Sequence, residues 1–98
     1  MNVVYRTREL ENVCTDFKIA RRKYGDPRAE RIHQRIDQLS AADSIEQLIQ
    51  YSVGRCHALV GDRIGQYAMD IAQPYRLIFE GCANDLECVR ILDITDYH

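Results

Sequence analysis

The sequence predicts a single α+β domain spanning residues 1–98, with an N-terminal strand and a helical hairpin packed on a mainly antiparallel sheet of four to five strands. Three observations carry this. Apolar residues recur at helical spacing through the first half, they alternate at period two through the second, and Gly, Pro or Asn separates the alternating runs. Helices followed by consecutive strands is the order of a helical layer laid on an antiparallel sheet. With 98 residues, 46% hydrophobic and 29% charged, the chain can bury one core and is too short for two.

The elements follow in order. Residues 2–6 read as a short strand ended by Thr7, whose hydroxyl can cap a helix. From Thr7 to Tyr24, the residues Leu10, Val13, Cys14, Phe17 and Ala20 hold one helical period. Gly25 is a natural C-cap, and Asp26-Pro27 restarts the chain, because Asp caps and Pro is tolerated in a first turn. Ala29, Ile32, Ile36 and Leu39 form the apolar stripe of this second helix, which completes an antiparallel hairpin. Ser40-Ala41-Ala42-Asp43 approaches a capping box, and Ile45, Leu48 and Ile49 suggest a short third helix.

Beyond Gly54 the period changes. Residues 55–60 read as a strand, and residues 61–65 as a hairpin loop flanked by Gly61 and Gly65. Residues 66–72 alternate Tyr67, Met69 and Ile71 against Ala68, Asp70 and Ala72. After the Gln73-Pro74 break, the next strand sets Tyr75, Leu77 and Phe79 on one face and Arg76, Ile78 and Glu80 on the other. Asn84-Asp85 turns the chain into a last strand that runs straight into Asp96, Tyr97 and His98.

Composition narrows the setting. No apolar run approaches the roughly 18 residues of a membrane span, and residues 1–6 lack a signal-peptide pattern, so a cytoplasmic protein is expected. A reducing compartment leaves Cys14, Cys56, Cys82 and Cys88 as thiols; the lesser alternative is a metal or disulfide site at Cys82 and Cys88. Residues 1–39 hold nine Lys/Arg against six Asp/Glu, and residues 40–98 hold four against nine. The basic excess, Lys18, Arg21, Arg22, Lys23, Arg28, Arg31 and Arg35, suits RNA phosphates or an acidic partner, or is simply a solvated helical face. His33 has no companions and reads as solvated.

Chemistry concentrates in His57, Arg76 and the trio Asp96, Tyr97 and His98. Cleavage of RNA by its own 2′-hydroxyl needs a base, a cation for the pentacoordinate phosphate and an acid for the departing oxygen. Imidazoles ordinarily change charge near neutral pH, so residues of the type of His57 and His98 can serve as base or acid; Asp96 can orient an imidazole or act as base. Arg76 offers a permanently charged fork for phosphate oxygens, and Tyr97 a ring on which a splayed base can stack.

The residues 54–68 (GRCHALVGDRIGQYA), then Pro74-Tyr75-Arg76-Leu77-Ile78-Phe79 and the terminal Asp96-Tyr97-His98, resemble the HigB-type killer toxins of the RelE/ParE superfamily of bacterial toxin–antitoxin systems. The resemblance implies a RelE-like fold and an endoribonuclease that cuts messenger RNA on the ribosome without a metal or other cofactor. It implies a helix-turn-helix antitoxin of the HigA kind, operator DNA reached only through that antitoxin, and no membrane. His57, Arg76, Asp96, Tyr97 and His98 fall on the family's active-site positions, with Arg63, Arg55, Lys18, Arg21 and Arg22 as expected RNA contacts. One position departs from the pattern: Val60 stands where family members commonly have Lys, and Arg63 is the nearest cation to replace it. Two rival readings remain, a ParE-like gyrase poison that binds without cutting, and a catalytically weak toxin that acts mainly through its antitoxin and operon autoregulation.

Overall fold

The computed structural model describes residues 1–96. The predicted site residues Tyr97 and His98 lie outside the described residues. Five strands, β1 (Asn2–Tyr5), β2 (His57–Ala58), β3 (Gln66–Asp70), β4 (Tyr75–Cys82) and β5 (Asp85–Asp96), form one sheet in the order β1-β5-β4-β3-β2. The pairings are antiparallel except that β1 lies parallel to β5. The helices α1 (Arg8–Thr15), α2 (Phe17–Tyr24), α3 (Asp26–Ala41) and α4 (Ile45–Gln50) cover one face.

The alternation in the strands decides which face that is. Met69, Leu77, Phe79, Val89 and Ile91 are fully or almost fully buried against Val13, Ala20, Ile32 and Leu39 of the helices. Their neighbours along each strand point the other way, where Leu59, Ala68, Ile78 and Leu92 make a second, smaller apolar cluster. Among the described residues, no helix packs on that second cluster. Among the described residues, no helix is long and apolar enough to cross a membrane.

Between the pairs Phe79↔Ile91 and Ile78↔Asp93, strand β5 carries one residue more than regular pairing with β4 allows, a β-bulge; a second register shift falls between Gly81 and Cys82 near the turn. The bulge is required by the apolar spacing. Ile91 and Ile94 are both buried in the main core although three residues apart, which period-two alternation forbids. Leu92, the extra residue, packs on the smaller cluster.

Several sequence expectations are corrected. The helix expected from Thr7 to Tyr24 breaks at Asp16, whose backbone is extended (φ −123°, ψ 108°) and whose carboxylate accepts from Lys18 N at 3.0 Å to start α2. Asp is a strong N-cap, and here that preference overrides a continuous apolar period. The capping box belongs to Ser44, four residues beyond the expected start: its hydroxyl accepts from Gln47 N at 3.1 Å while Gln47 Oε1 accepts from Asp43 N at 2.9 Å. Between α2 and α3, Gly25 adopts φ +85°, so it closes one helix and opens the next.

The strand expected over residues 55–60 shrinks to His57–Ala58, because Gly54 and Arg55 take left-handed backbone angles (φ 59° and 55°) that end any ladder. Cys82 and Cys88 are joined by a disulfide rather than left as thiols. The β4–β5 turn brings their Cα atoms to 5.3 Å, inside the range of about 4.4–6.8 Å that a disulfide spans. His33 is not solvated: its Nε2 lies 3.0 Å from the Val13 carbonyl, and its ring meets Phe17 edge-on at 5.5 Å.

Arg35 leaves the basic surface altogether. It is 7% exposed within the stripe formed by Ile32, Ile36 and Leu39, where Nε donates to the Asp70 carbonyl at 2.6 Å and Nη1 donates to Gln38 Oε1 at 2.9 Å. Burial, then the nearby Arg31 charge, lowers its affinity for a proton, and Asp70 opposes both. Gly54 lies directly on this guanidinium, so a Cβ there would sit 2.6 Å from Arg35 Nε. Gly54→Ala is therefore expected to cost about 1–3 kcal/mol in urea unfolding, from left-handed strain and displacement of a buried, hydrogen-bonded side chain. An unchanged unfolding midpoint would show that the loop relaxes at no cost.

Candidate functional site on the open sheet face

Register places the predicted residues on the uncovered face. His57 pairs with Ala68, which pairs with Ile78; one row further along, Asp70 pairs with Arg76, and Arg76 with Thr95. Arg76 thus lies across β3 from His57, about 10 Å laterally and about 7 Å along the strands by ordinary sheet spacings. The small apolar patch of Ala68 and Ile78 separates them. Charged and imidazole side chains around a shallow apolar floor can contact a phosphodiester and its sugar at the same time.

His57 is exposed, and its Nδ1 is 2.8 Å from the Arg55 carbonyl. A carbonyl only accepts, so Nδ1 carries the proton, and the neutral ring keeps Nε2 as its acceptor. That is the tautomer of a general base. The positive φ of Arg55 turns its carbonyl to the ring, so the backbone irregularity that shortens β2 also orients the imidazole.

Arg76 is gripped by Asp70, with Nε 3.6 Å from Oδ1. Arg55 reaches the other oxygen, with Nε 3.3 Å from Oδ2. Asp70 was legible as a residue of the non-core face, but only the cross-strand register reveals it as the partner of Arg76. At the other end of β3, where Gln66 pairs with Glu80, Arg63 and Glu80 line a groove of about 370 Å³ together with Arg6, Gln66, Ile78, Leu92 and Asp93. Glu80 also binds Arg90, with Nη1 3.2 Å from Oε2. Val60, where the family pattern has Lys, is 85% exposed and precedes the 3-10 turn at Gly61–Arg63.

The other expected residues divide. Asp96 ends β5, exposed and opposite Tyr75, so it is one residue out of phase with the Arg76 row, whose β5 member is Thr95. Lys18, Arg21 and Arg22 lie exposed on α2, in the helical layer behind the sheet, where Arg21 pairs with Asp26 at 3.7 Å. They do not share the face of His57, Arg76, Arg55 and Arg63. Two separate cationic regions therefore replace the single RNA surface that charge alone suggested.

The architecture, helices on one face of a five-stranded mixed sheet, is that of toxins of the YoeB/ParE type. The YoeB/ParE toxin from Agrobacterium tumefaciens matches over 100% of both chains with a TM-score of 0.67 at 13% identity. YoeB in a YoeB–YefM complex from Staphylococcus aureus matches over 100% of this chain and 97% of that one, at TM-score 0.64 and 17% identity. The dimeric YoeB of the same organism gives 0.63 at 17% identity with the same coverage. At these identities the likeness defines the fold. No family model and no curated protein matches the sequence.

Proposed function

We propose that this protein is the toxin of a type II toxin–antitoxin system in the RelE/ParE superfamily, of the HigB kind, and that it cuts messenger RNA on the ribosome. The observation that carries this reading is an exposed His57, fixed in its base tautomer, on the same open face as Arg76 in a fold shared end to end with YoeB toxins. His57 Nε2 takes the proton of the 2′-hydroxyl, whose oxygen attacks the adjacent phosphorus. Arg76 holds the charge that builds on the phosphate oxygens. His98 returns a proton to the departing 5′-oxygen, Tyr97 stacks on a base, and Asp96 tunes the charge at that end; these roles rest on the sequence resemblance. Side chains alone perform the reaction, so no metal or cofactor is called for.

The partner that restrains it is an antitoxin, a helix-turn-helix protein of the HigA kind that also carries the complex to operator DNA. Two of the S. aureus structures are YoeB–YefM complexes, one of them a heterotetramer. Lys18, Arg21 and Arg22 suit an acidic antitoxin segment better than the cleaved strand, since they sit behind the sheet. The protein acts in the cytoplasm, where ribosomes and messenger RNA are.

The test is a primer-extension map of messenger RNA after induction. Cuts at fixed positions within codons support the proposal, and intact RNA with gyrase-linked DNA damage points to a ParE-like poison. Intact RNA and intact DNA point to the catalytically weak toxin, the reading favoured by exposed Val60 at the family's Lys position. Val60→Lys is expected to raise ribosome-dependent cleavage by about tenfold to a hundredfold, the scale of one partly exposed charge near a transition state. Equal cleavage by a folded variant would mean that Arg63 already supplies that charge.

A further inference from the structure

We propose that the Cys82–Cys88 bridge is a reversible redox modification site, exchanged by glutathione-class thiols, that fixes or frees the tip of the β4–β5 hairpin. Its position in the ladder carries the inference. Gly81 faces the helices, where an added Cβ would meet Ile45 Cδ1 at 3.7 Å, so Cys82 falls on the open face. The pairs Glu80↔Arg90 and Gly81↔Val89 would continue regularly to Cys82 opposite Cys88. Instead the register shifts: Cys82 pairs with Asp85, and Leu86, Glu87 and Cys88 loop out of the β4 ladder. The disulfide closes that loop-out, with its Cα atoms 5.3 Å apart.

Both redox states suit the fold. Facing residues of an antiparallel pair stand about 4.5–5.5 Å apart at Cα, so the ladder presents the two thiols to each other before any bond forms. The strands do not need the bond, because Phe79, Val89 and Ile91 are fully buried and hold β4 to β5 beneath it. The sequence separation of 6 makes the closed loop short, and a short loop gains least from a crosslink. Neither cysteine belongs to an apolar cluster, and Cys82 is half-buried, within reach of an attacking thiolate. Cys14 and Cys56 differ: at 3% and 5% exposed they are sealed in the main core, with thiols pushed up to about 12 and about 11. Thiol exchange is thereby confined to one pair.

The exchange balances without an outside oxidant. In the reducing direction a glutathione thiolate attacks Cys82 Sγ, the S–S bond breaks, and Cys88 leaves as a thiolate that takes up a proton. A second glutathione attacks the mixed disulfide and releases Cys82 as a thiol; the two glutathiones become one glutathione disulfide, and their two electrons reduce the bridge. Oxidation is the reverse sequence. In the cytoplasm, the compartment proposed above, disulfides are usually transient rather than structural, which suits a bond that the ladder neither needs nor resists. The structural consequence stays local. With the bond open, Leu86, 96% exposed, and its neighbours are no longer held out of register. Arg76 lies further back along β4, about 20 Å away by ordinary strand rise, so its row is left undisturbed.

The experiment reads the bond and the tip together. The full chain is equilibrated in buffers stepped from glutathione to glutathione disulfide, trapped with acid, labelled with a maleimide in urea and weighed by mass spectrometry. Four labels are expected at the reducing end, one per cysteine, and two at the oxidising end, with the change inside the series. Amide hydrogen exchange should run several-fold faster at residues 85–88 in the reduced chain, and equally in both states at Phe79, Val89 and Ile91. Cys82→Ser/Cys88→Ser should show the fast pattern at every buffer ratio. A bridge that persists, or stays open, throughout the series would overturn the redox site, as would a double variant that still answers to glutathione. Equal exchange at residues 85–88 in both states would remove the link to the tip. Faster exchange along the whole of β4 and β5 would make the bond a structural staple, which equally overturns the proposal.

Discussion

Replacing Tyr97 and His98 together by alanine is expected to abolish killing and to leave the fold intact. The last buried residue of β5 among those described is Ile94, 8% exposed. Removing one general acid or base costs about 10²–10⁴ in rate, and removing a base-stacking ring costs about 1–3 kcal/mol in binding. On the proposed nuclease reading, the two losses together are expected to end growth arrest. Colony formation under induction reads the loss, with a thermal melt and an antitoxin pull-down of the same variant as controls. A variant that folds, binds antitoxin and still kills would remove both residues from the mechanism and leave His57 and Arg76 to account for it.

The second large effect is on stability at alkaline pH. Burial pushes the Cys14 thiol up to about 12 and the Cys56 thiol up to about 11, from an ordinary value of 9.0. A raised folded value means that the unfolded chain gives up its proton first, so stability is complete below pH 9 and falls as pH rises toward 11 and 12. Each thiol removes about 1.4 kcal/mol per pH unit across that window, and the two together remove roughly 5 kcal/mol by pH 11. A domain with about 5–15 kcal/mol to lose is then at or near its unfolding point. Urea midpoints between pH 7 and 11 test this in a Cys82→Ser/Cys88→Ser background, where no disulfide is left for thiolates to attack. The midpoint should hold to pH 9 and then drop, and Cys14→Ala/Cys56→Ala should flatten the decline. A steady midpoint in the parent would show that neither thiol is sealed from water.

What sequence reasoning could reach depended on whether the deciding interaction was local. The strand Tyr75–Cys82 was legible to the residue because alternation is a property of neighbours, and Gly25 because a helix end is too. The break at Asp16 was readable in principle, since Asp followed by a fresh apolar run is a cap signal; the continuous period concealed it. Arg35 was misplaced for the opposite reason. Its spacing from Ile32 put it on the apolar stripe, but its charge suggested solvent, and only the Asp70 carbonyl on a strand 35 residues away reconciles the two. At the site, His57 and Arg76 were legible as residue types and by face. Asp70 was not, because its meaning comes from Arg55 and Arg76 meeting it from a loop and a neighbouring strand.

The bulge in β5 has a consequence for chain length. Because Leu92 is the extra residue, removing it would leave Asp93 opposite Ile78, Ile94 opposite Leu77 and Thr95 opposite Arg76, the partners they have now. Removing Thr95 would instead slide Asp96 into the Arg76 row. A single-residue deletion is therefore neutral to register at Leu92 and inverts the rest of the strand if made after Ile94. Related chains that differ in length along this strand can keep the same residue opposite Arg76 only if the gap falls at the bulge.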